Sequence, residues 1–202
     1  MDDRTRALVR LAASLTVDES VQVEAMDRAA ELAPEQAEEV LLQSYLFMGF
    51  PVALNALHLW RRRTGRPAAR VRAEPPAVWI ERGEATCRAV YGPHYEALRE
   101  VMGGIHPELD RWAVVEGYGK VLGRPELDLR TRELCIAAQL AGTDASRQLH
   151  SHLRGCLNVG NDVETVEATL TAVEDVIGGE RVEAARRVWA KVRDRWIRKQ
   201  GD

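Results

Sequence analysis

The sequence has few aromatic residues, few cysteines and no long apolar run, and each shortage excludes a class of protein. Aromatic side chains make up only 5% of the 202 residues, and the cysteines are Cys87, Cys135 and Cys156. An odd number at these separations fits neither a disulfide framework nor a zinc motif, and there is no C-x-x-C pair. We therefore expect structural thiols in a reducing compartment.

Charge and hydropathy exclude two further kinds of partner. The formal net charge is -3 at pH 7, which gives no electrostatic reason to expect nucleic acid. No apolar stretch approaches the roughly 18 residues of a membrane-spanning helix. The first residues, "MDDRTRALVRLAA", lack the pattern of a secretory signal. These features predict a cytoplasmic protein without a nucleic-acid or membrane partner.

Apolar residues recur three and four positions apart along most of the chain, and no segment alternates as a strand does. The helical spacing is found in residues 6–15, 37–49, 95–104, 129–141, 147–158 and 163–176. Just before several of these segments stand aspartates that are suited to cap a helix: Asp128, Asp144 and Asp162. The pattern predicts an all-α protein.

Residues 61–76, "RRRTGRPAARVRAEPP", are rich in arginine and proline and carry no helical stripe. We interpret them as a linker between an N-terminal repeat at residues 1–60 and a larger C-terminal unit at residues 77–202. The arginines could hold an anionic partner. The acidic balance elsewhere favours a solvated linker or surface arm instead.

The last helical segment carries an apolar stripe flanked by arginine and lysine. Its members are Val182, Ala185, Trp189, Val192 and Trp196. This face must be buried, either in the protein's own core or against a second chain.

The sequence repeats weakly at an offset of 126 residues, which places Arg6 on Arg132. Over the 25 positions of this ungapped alignment, seven residues are identical. Farther along, the same offset places Glu38 on Glu164. The repeat predicts one plan of helix, turn, helix, turn and helix in both halves.

Two segments resemble the carboxymuconolactone decarboxylase and alkylhydroperoxidase D (AhpD) superfamily. Residues 127–162 resemble its central helical pair, which opens with R-x-R-E-L and closes with H-x-R-x-C-x-N-x-G. Residues 37–60 resemble the helix that follows, with its G-x-P turn. The resemblance implies an all-α AhpD-like fold with two tandem degenerate repeats. With the tryptophan-bearing last helix, it also favours a homo-oligomer.

The resemblance places the functional acid of the superfamily at Glu133 and its functional histidine at His152. The first repeat has Ala7 and Met26 at these positions, so we expect one active site per chain. The first repeat would then supply packing, a subunit contact or one wall of the pocket.

The G-x-P turn is kept only in the first repeat, as Gly49, Phe50 and Pro51. In the second repeat the 126-residue offset places Asp175, Val176 and Ile177 there.

Glu133 and His152 lie on two helices joined by a short turn, an arrangement that can bring carboxylate and imidazole together. A carboxylate on one ring nitrogen fixes the tautomer, and the imidazole can then give or take protons near neutral pH. On the same helix, His150 projects to a different face. The H-x-H spacing does not match a metal site, so we predict no bound metal.

Two chemistries are open within the superfamily. The AhpD-like peroxidase branch uses a C-x-x-C pair, but the corresponding positions here are Ala145 and Gln148. The sequence therefore favours the decarboxylase-like branch. That branch implies proton transfer and decarboxylation on a small carboxylated or lactone substrate, with neither metal nor organic cofactor. A peroxidase or oxidoreductase and a non-catalytic helical assembly protein remain as alternatives.

The candidate substrate-binding residues are Arg130, Gln148 and Tyr118. Arg130 is chosen to hold a substrate carboxylate because Arg132 and Arg154 have counterparts in the first repeat, which favours structural ion pairs for them. Tyr118 could line the pocket mouth. The nearby Trp112 could line it too, but core packing is favoured for that residue.

Overall fold

The protein is built from helices. The structure is a computed structural model that describes residues 1–71 and 73–201, and within these ranges it contains no β-strand. The all-α prediction is confirmed. The N-terminal repeat comprises α1 Asp3–Ser14, α2 Glu19–Leu32, α3 Pro34–Gln43 and α4 Tyr45–Thr64.

The C-terminal part begins with a helical region, at residues 76–122, that has no counterpart in the first repeat. It consists of α5 Pro76–Tyr91, a 3₁₀ turn Gly92–His94, α6 Tyr95–Ile105, α7 Pro107–Trp112 and a π-helical segment Ala113–Leu122. The second repeat follows, with α8 Leu129–Ala141, α9 Ser146–Asn158, α10 Val163–Ala172, α11 Glu174–Ile177 and α12 Gly179–Gly201.

The two repeats share one helical plan, as the sequence repeat predicts. Helices α1 and α2 correspond to α8 and α9 at the offset of 126 residues. Only Ala33 separates α2 from α3, whereas a longer loop separates α9 from α10. From α3 and α10 onward, the offset between equivalent residues is therefore 129 rather than 126. At that offset, the ends of α3 coincide with the ends of α10.

One hydrogen bond occurs twice and fixes the corrected alignment. The indole Nε1 of Trp60 donates to Glu38 at 3.2 Å, and the indole Nε1 of Trp189 donates to Glu167 at 3.3 Å. Both pairs are related by 129 residues. The alignment of Glu38 with Glu164 was therefore wrong, because it ignored the longer loop.

The G-x-P turn also has a different counterpart from the one predicted. Gly49 has φ 79° and ψ 165°, and Gly178 has φ 88° and ψ 149°. A positive φ of this kind favours glycine, which lacks a Cβ atom. Gly178, rather than Asp175, is the equivalent of Gly49, and each glycine redirects the chain into a long helix.

A buried ion pair joins the repeats across the packed helices α1 and α8. Arg132 of α8 is fully buried and donates from Nη2 to Glu39 of α3 at 2.7 Å and from Nη1 to Gln43 at 3.1 Å. Arg124 donates to the same carboxylate at 2.9 Å. Burial alone would raise the pKa of Glu39, but these two guanidinium groups outweigh it and hold the pKa below its ordinary value.

A second ion pair crosses between the repeats in the opposite sense. Arg10 of α1 donates to the carboxylate of Asp175 at 2.6 Å and to the carbonyl of Ala172 at 2.8 Å. The first helix of each repeat therefore binds the third helical region of the other. The repeats form one interlocked unit.

The arginines at the start of the predicted linker contact the first repeat. Helix α4 continues to Thr64, and Arg61 and Arg66 bond to Glu38 at 2.7 Å and 3.4 Å. Arg63 pairs with Asp27 at 2.5 Å. These side chains are ion-paired, and those of Arg63 and Arg66 also remain partly exposed to solvent. Arg72 lies outside the described residues, and the division into units at residues 60 and 77 stays a prediction.

The apolar stripe of the last helix is buried within the chain. Val182, Ala185, Trp189 and Val192 are each at most 4% exposed, while Trp196 is half-buried. Core packing therefore accounts for most of this face.

Among the described helices, no single one is long and apolar enough to cross a membrane. Helices α3 and α4 meet the length and composition criteria only as a pair, and that pair is bent by 115°.

The substitution Glu39→Gln should destabilise the protein strongly, because it leaves Arg132 buried without its carboxylate. We expect a loss of about 3 kcal/mol in the free energy of unfolding. Urea unfolding followed by circular dichroism measures it.

The same pair should make stability depend on pH. The folded-state pKa of Glu39 lies below the ordinary value of 4.5, so its contribution is complete above that pH and disappears as pH falls through the folded-state pKa. Glu39→Gln should therefore lose less stability than the parent protein between about pH 5 and about pH 3. The control Glu31→Gln removes an exposed partner of Arg28 and should change little. Equal losses in the two variants would contradict the assigned role.

Candidate functional site

Glu133 and His152 form a buried hydrogen-bonded pair. His152 Nδ1 lies 2.9 Å from Glu133 Oε2, and the two residues are 5% and 0% exposed. Both faces of α8 are covered, so the carboxylate of Glu133 does not reach the surface. Its other oxygen, Oε1, has no hydrogen-bond partner among the described residues. Among the described residues, the imidazole of His152 is therefore the hydrogen-bond partner of the Glu133 carboxylate.

A glycine on α9 makes room for this carboxylate. A Cβ atom on Gly155 would lie 2.5 Å from Glu133 Oε2 and 2.9 Å from Val90 Cγ1, both too close. In the first repeat, the position equivalent to Gly155 is Ala29 and the position equivalent to Glu133 is Ala7. The glycine is thus present where the glutamate is present, and a methyl group replaces it where the glutamate is absent.

The imidazole is fixed in two ways. A hydrogen on Nδ1 can donate to the Glu133 carboxylate, which leaves Nε2 as the nitrogen available to a substrate. The ring of Phe47 packs edge-on against His152, with centroids 5.4 Å apart and an interplanar angle of 86°. The pair is therefore held in the geometry that general acid and base chemistry needs.

His152 lines a cavity of about 300 Å³, which is large enough for a small organic molecule. The first repeat supplies Leu46 and Phe47, so it forms one wall of the pocket. The other lining residues come from α7 and the π-helical segment and are Leu109, Trp112, Ala113, Glu116, Gly117, Tyr118 and Leu122. This lining contains one carboxylate and no lysine or arginine.

The π-helical segment packs against α5 through two glycines. A Cβ on Gly119 would overlap the carbonyl of Trp79, and one on Gly83 would overlap the carbonyl of Val114. The close packing against α5 fixes the position of the π-helical segment, which lines the cavity with its other residues. π-Helical turns occur frequently at functional sites.

Tyr118 is the phenol of the cavity wall. It is 7% exposed, and its ring meets that of Tyr91 edge-on at 6.0 Å. Burial, followed by the negative fields of Tyr91 and Glu133, raises the pKa of Tyr118 well above its ordinary value. The phenol therefore stays protonated and can donate a hydrogen bond.

Of the candidate substrate-binding residues, the structure brings only Tyr118 into the cavity with His152. Arg130 lies on the first turn of α8 and lines a separate surface pocket beside Asp128 and Asp2. Gln148 is exposed on the first turn of α9 and does not line the cavity. Neither contacts the site because each sits at a helix end, away from the buried middle of the pair.

Two cavity residues were missed or misread from sequence. Trp112 is 54% exposed at the cavity rather than buried in the core. Glu116 accepts a hydrogen bond from the hydroxyl of Tyr45 at 2.9 Å, which links the cavity to α4. The G-x-P segment was the available signal, because it introduces the helix that carries Tyr45 and Phe47.

The equivalent region of the first repeat is filled. Met26, at the position of His152, is 0% exposed, and Ala7 stands at the position of Glu133. Val176, equivalent to Phe47 at the 129-residue offset, lines a pocket there of only about 70 Å³ together with Ala7. The first repeat thus has neither acid nor histidine at these positions.

All three thiols are buried. Burial raises the pKa of Cys87 to about 12, and it also raises the pKa values of Cys135 and Cys156. A protonated, inaccessible thiol is a poor nucleophile. This environment argues against a dithiol cycle.

Residues 107–191 match the carboxymuconolactone decarboxylase family. The matched region contains Glu133, His152 and Tyr118 and extends from α7 into α12. The chain is also similar to Peroxisomal protein 2 of Saccharomyces cerevisiae, at 32% identity over 90 residues. That alignment covers 44% of this chain, which spans about a third (32%) of the yeast protein's length.

The thiols should be unreactive in the folded protein. With Ellman's reagent at about pH 8, we expect no cysteine to react before unfolding and all three to react in denaturant. Rapid labelling of one or two thiols in the native state would contradict the burial and pKa assigned to them.

Gly155 and Glu133 should be energetically coupled. Gly155→Ala alone should destabilise the protein, because the added methyl overlaps the Glu133 carboxylate. In a Glu133→Ala background, the same substitution should be less costly by at least about 1 kcal/mol. Residual strain against Val90 makes the relief partial. A thermodynamic cycle of urea unfolding measures the coupling, and additive effects would show that the two residues do not interact.

Proposed function

We propose that this protein is a cofactor-independent proton-transfer enzyme of the decarboxylase-like branch, acting at a carbon atom of a small unsaturated lactone. The observation that carries the proposal is the Glu133–His152 pair, buried except where the imidazole meets an apolar cavity of about 300 Å³. A carboxylate, an oriented imidazole and an apolar cavity wall suit proton transfer to carbon.

The charges of the cavity narrow the substrate class. Its lining contains no lysine or arginine, and its one carboxylate, Glu116, lies 3.4 Å from the ammonium of Lys120. A neutral lactone therefore fits the apolar wall directly. A carboxylated lactone would place its carboxylate in apolar surroundings, where only protonated His152 could oppose its charge. Such surroundings favour loss of carbon dioxide, because the charge disperses over the conjugated system.

The proposed decarboxylation step balances without an oxidant or reductant. The bond between the substrate carbon and its carboxylate breaks, carbon dioxide leaves, and the electron pair enters the lactone as a dienolate. His152 donates the proton from Nε2 to carbon and recovers one from solvent. For a neutral lactone, His152 instead removes a proton at one carbon and returns it at another, so the double bond moves.

Tyr118 is the residue that we propose to stabilise the developing charge. Its hydroxyl stays protonated and can donate a hydrogen bond to the oxygen of the dienolate. Preorganised hydrogen-bond donors of this kind contribute strongly to catalysis. Glu133 acts as a positioning residue through its bond to His152 Nδ1.

The test uses two substrates in D₂O, followed by proton NMR. These are carboxymuconolactone, scored for loss of carbon dioxide, and the neutral α-angelica lactone, scored for isomerisation and deuterium uptake. We expect His152→Asn to slow turnover by a factor of about 10² to 10⁴. Glu133→Gln and Tyr118→Phe should each slow it less. His58→Gln, which changes an exposed histidine of α4, should leave it unchanged.

The position of the imidazole hydrogen provides a readout that does not depend on the substrate. Nitrogen-15 NMR should show His152 protonated on Nδ1 in the parent protein, with a changed tautomer balance in Glu133→Gln. If the folded parent protein neither decarboxylates nor deuterates either lactone, the proposal is rejected. A His152→Asn variant that stays active would reject it equally.

A second candidate function is a non-catalytic assembly protein. The filled first repeat favours it, as do large apolar residues exposed at or near the cavity, namely Phe50, Leu109 and Trp112 at 65%, 48% and 54%. The same surface supports our proposal of a homo-oligomer, which sedimentation tests. We propose a cytoplasmic location, with the peroxisome as the alternative suggested by the relative's name, and a fluorescent fusion distinguishes them.

A further inference from the structure

A second and larger cavity, of about 510 Å³, lies beside α9 and does not include His152. It is enclosed by the 3₁₀ turn, α9 and the end of α12. Five basic side chains line it together with the indole ring of Trp196, and they are His94, His150, Arg154, Arg195 and Lys199. The cavity is separate from the proposed proton-transfer site and takes no part in its chemistry.

The lining is strongly basic in a chain whose formal net charge is -3. No acidic residue lines the cavity, and Arg154 has no acidic partner among the described residues. The Nε of Arg154 is buried without a hydrogen-bond partner in the same part of the chain. A buried donor on a cation is costly unless something accepts from it.

In the first repeat, the arginine equivalent to Arg154 has an acidic partner within the chain. Arg28, equivalent to Arg154, pairs with Glu31 at 2.8 Å. The position equivalent to Glu31 in the second repeat is Leu157. The second repeat thus keeps the arginine and lacks the acid, so the structural ion pair predicted for Arg154 is not found among the described residues.

The groups around the cavity repel one another. Burial first, then the charges of Arg154 and Lys199, lower the pKa of His94. Burial, followed by Arg154, Arg195 and the nearby Lys191, lowers the pKa of His150. Burial, and then Arg195, lower the pKa of Arg154, while the Tyr91 phenol of α5 partly opposes this lowering. An anion in the cavity would relieve this repulsion.

We propose that this cavity binds a small organic anion, with its acid group held by Arg154, Arg195 and Lys199. The body of the ligand would rest on the indole of Trp196 beside Val192 and Pro93, which supply the apolar part of the wall. The ligand class is an aromatic or aliphatic carboxylate or phosphate ester. Guanidinium groups recognise both acids through charge-assisted hydrogen bonds.

The test is calorimetric and NMR titration of the full chain with phenyl phosphate and with benzoate. We expect saturable binding of at least one, and the tighter of the two identifies the acid group. Benzamide, the neutral counterpart of benzoate, should not bind. At saturation the measured pKa values of His94 and His150 should rise, because a negative charge stabilises their protonated forms.

Variants separate a specific site from general attraction to basic residues. Arg154→Gln should weaken binding at least tenfold, and so should the double variant Arg195→Gln with Lys199→Gln, whose side chains are exposed and do not carry the fold. The matched control is Arg187→Gln, an exposed arginine of α12 outside the cavity. Absence of saturable binding, equal weakening by Arg187→Gln, or equally tight binding of inorganic phosphate and phenyl phosphate would overturn the proposal.

Discussion

A carboxylate without exposed surface, held by one imidazole, is the constraint on which the rest of the site depends. Removing a charge of this kind from water costs several kcal/mol unless a partner is in place, so Glu133 requires His152. The carboxylate also requires space, which Gly155 provides by lacking a Cβ atom. The first repeat shows the alternative solution without the charge, since its equivalents are Ala7, Met26 and Ala29. The repeats differ at all three positions, and each difference follows from the presence or absence of one buried carboxylate.

The interlocking of the repeats explains how a half without acid or histidine still contributes to the site. Arg132 and Arg10 each bind a carboxylate of the other repeat, so the two halves pack against each other. The same arrangement places the start of α4 beside the middle of α9, where Phe47 meets His152. The first repeat is therefore part of the cavity even though its own equivalent pocket is filled.

The sequence predicts what is local and misses what depends on distant packing. Helices α8 and α9 follow from apolar spacing and from caps such as Asp128, and the acid and histidine follow from motifs on those helices. The equivalence of Gly49 and Gly178 was hidden because the longer loop after α9 shifts the alignment. Arg130 could not be excluded from sequence, since its distance from His152 depends on where α8 begins relative to the cavity. The cavity wall itself joins residues far apart in the chain and has no local signature.

The duplication within one chain has a consequence for how the site responds to dilution. If the wall carrying Phe47 belonged to a second chain, its effective concentration at His152 would follow the protein concentration and would fall on dilution. Because both repeats are covalently joined, that effective concentration is fixed by the connection between them. The contact between Phe47 and His152 is then intramolecular, and it forms in a single molecule however dilute the protein is.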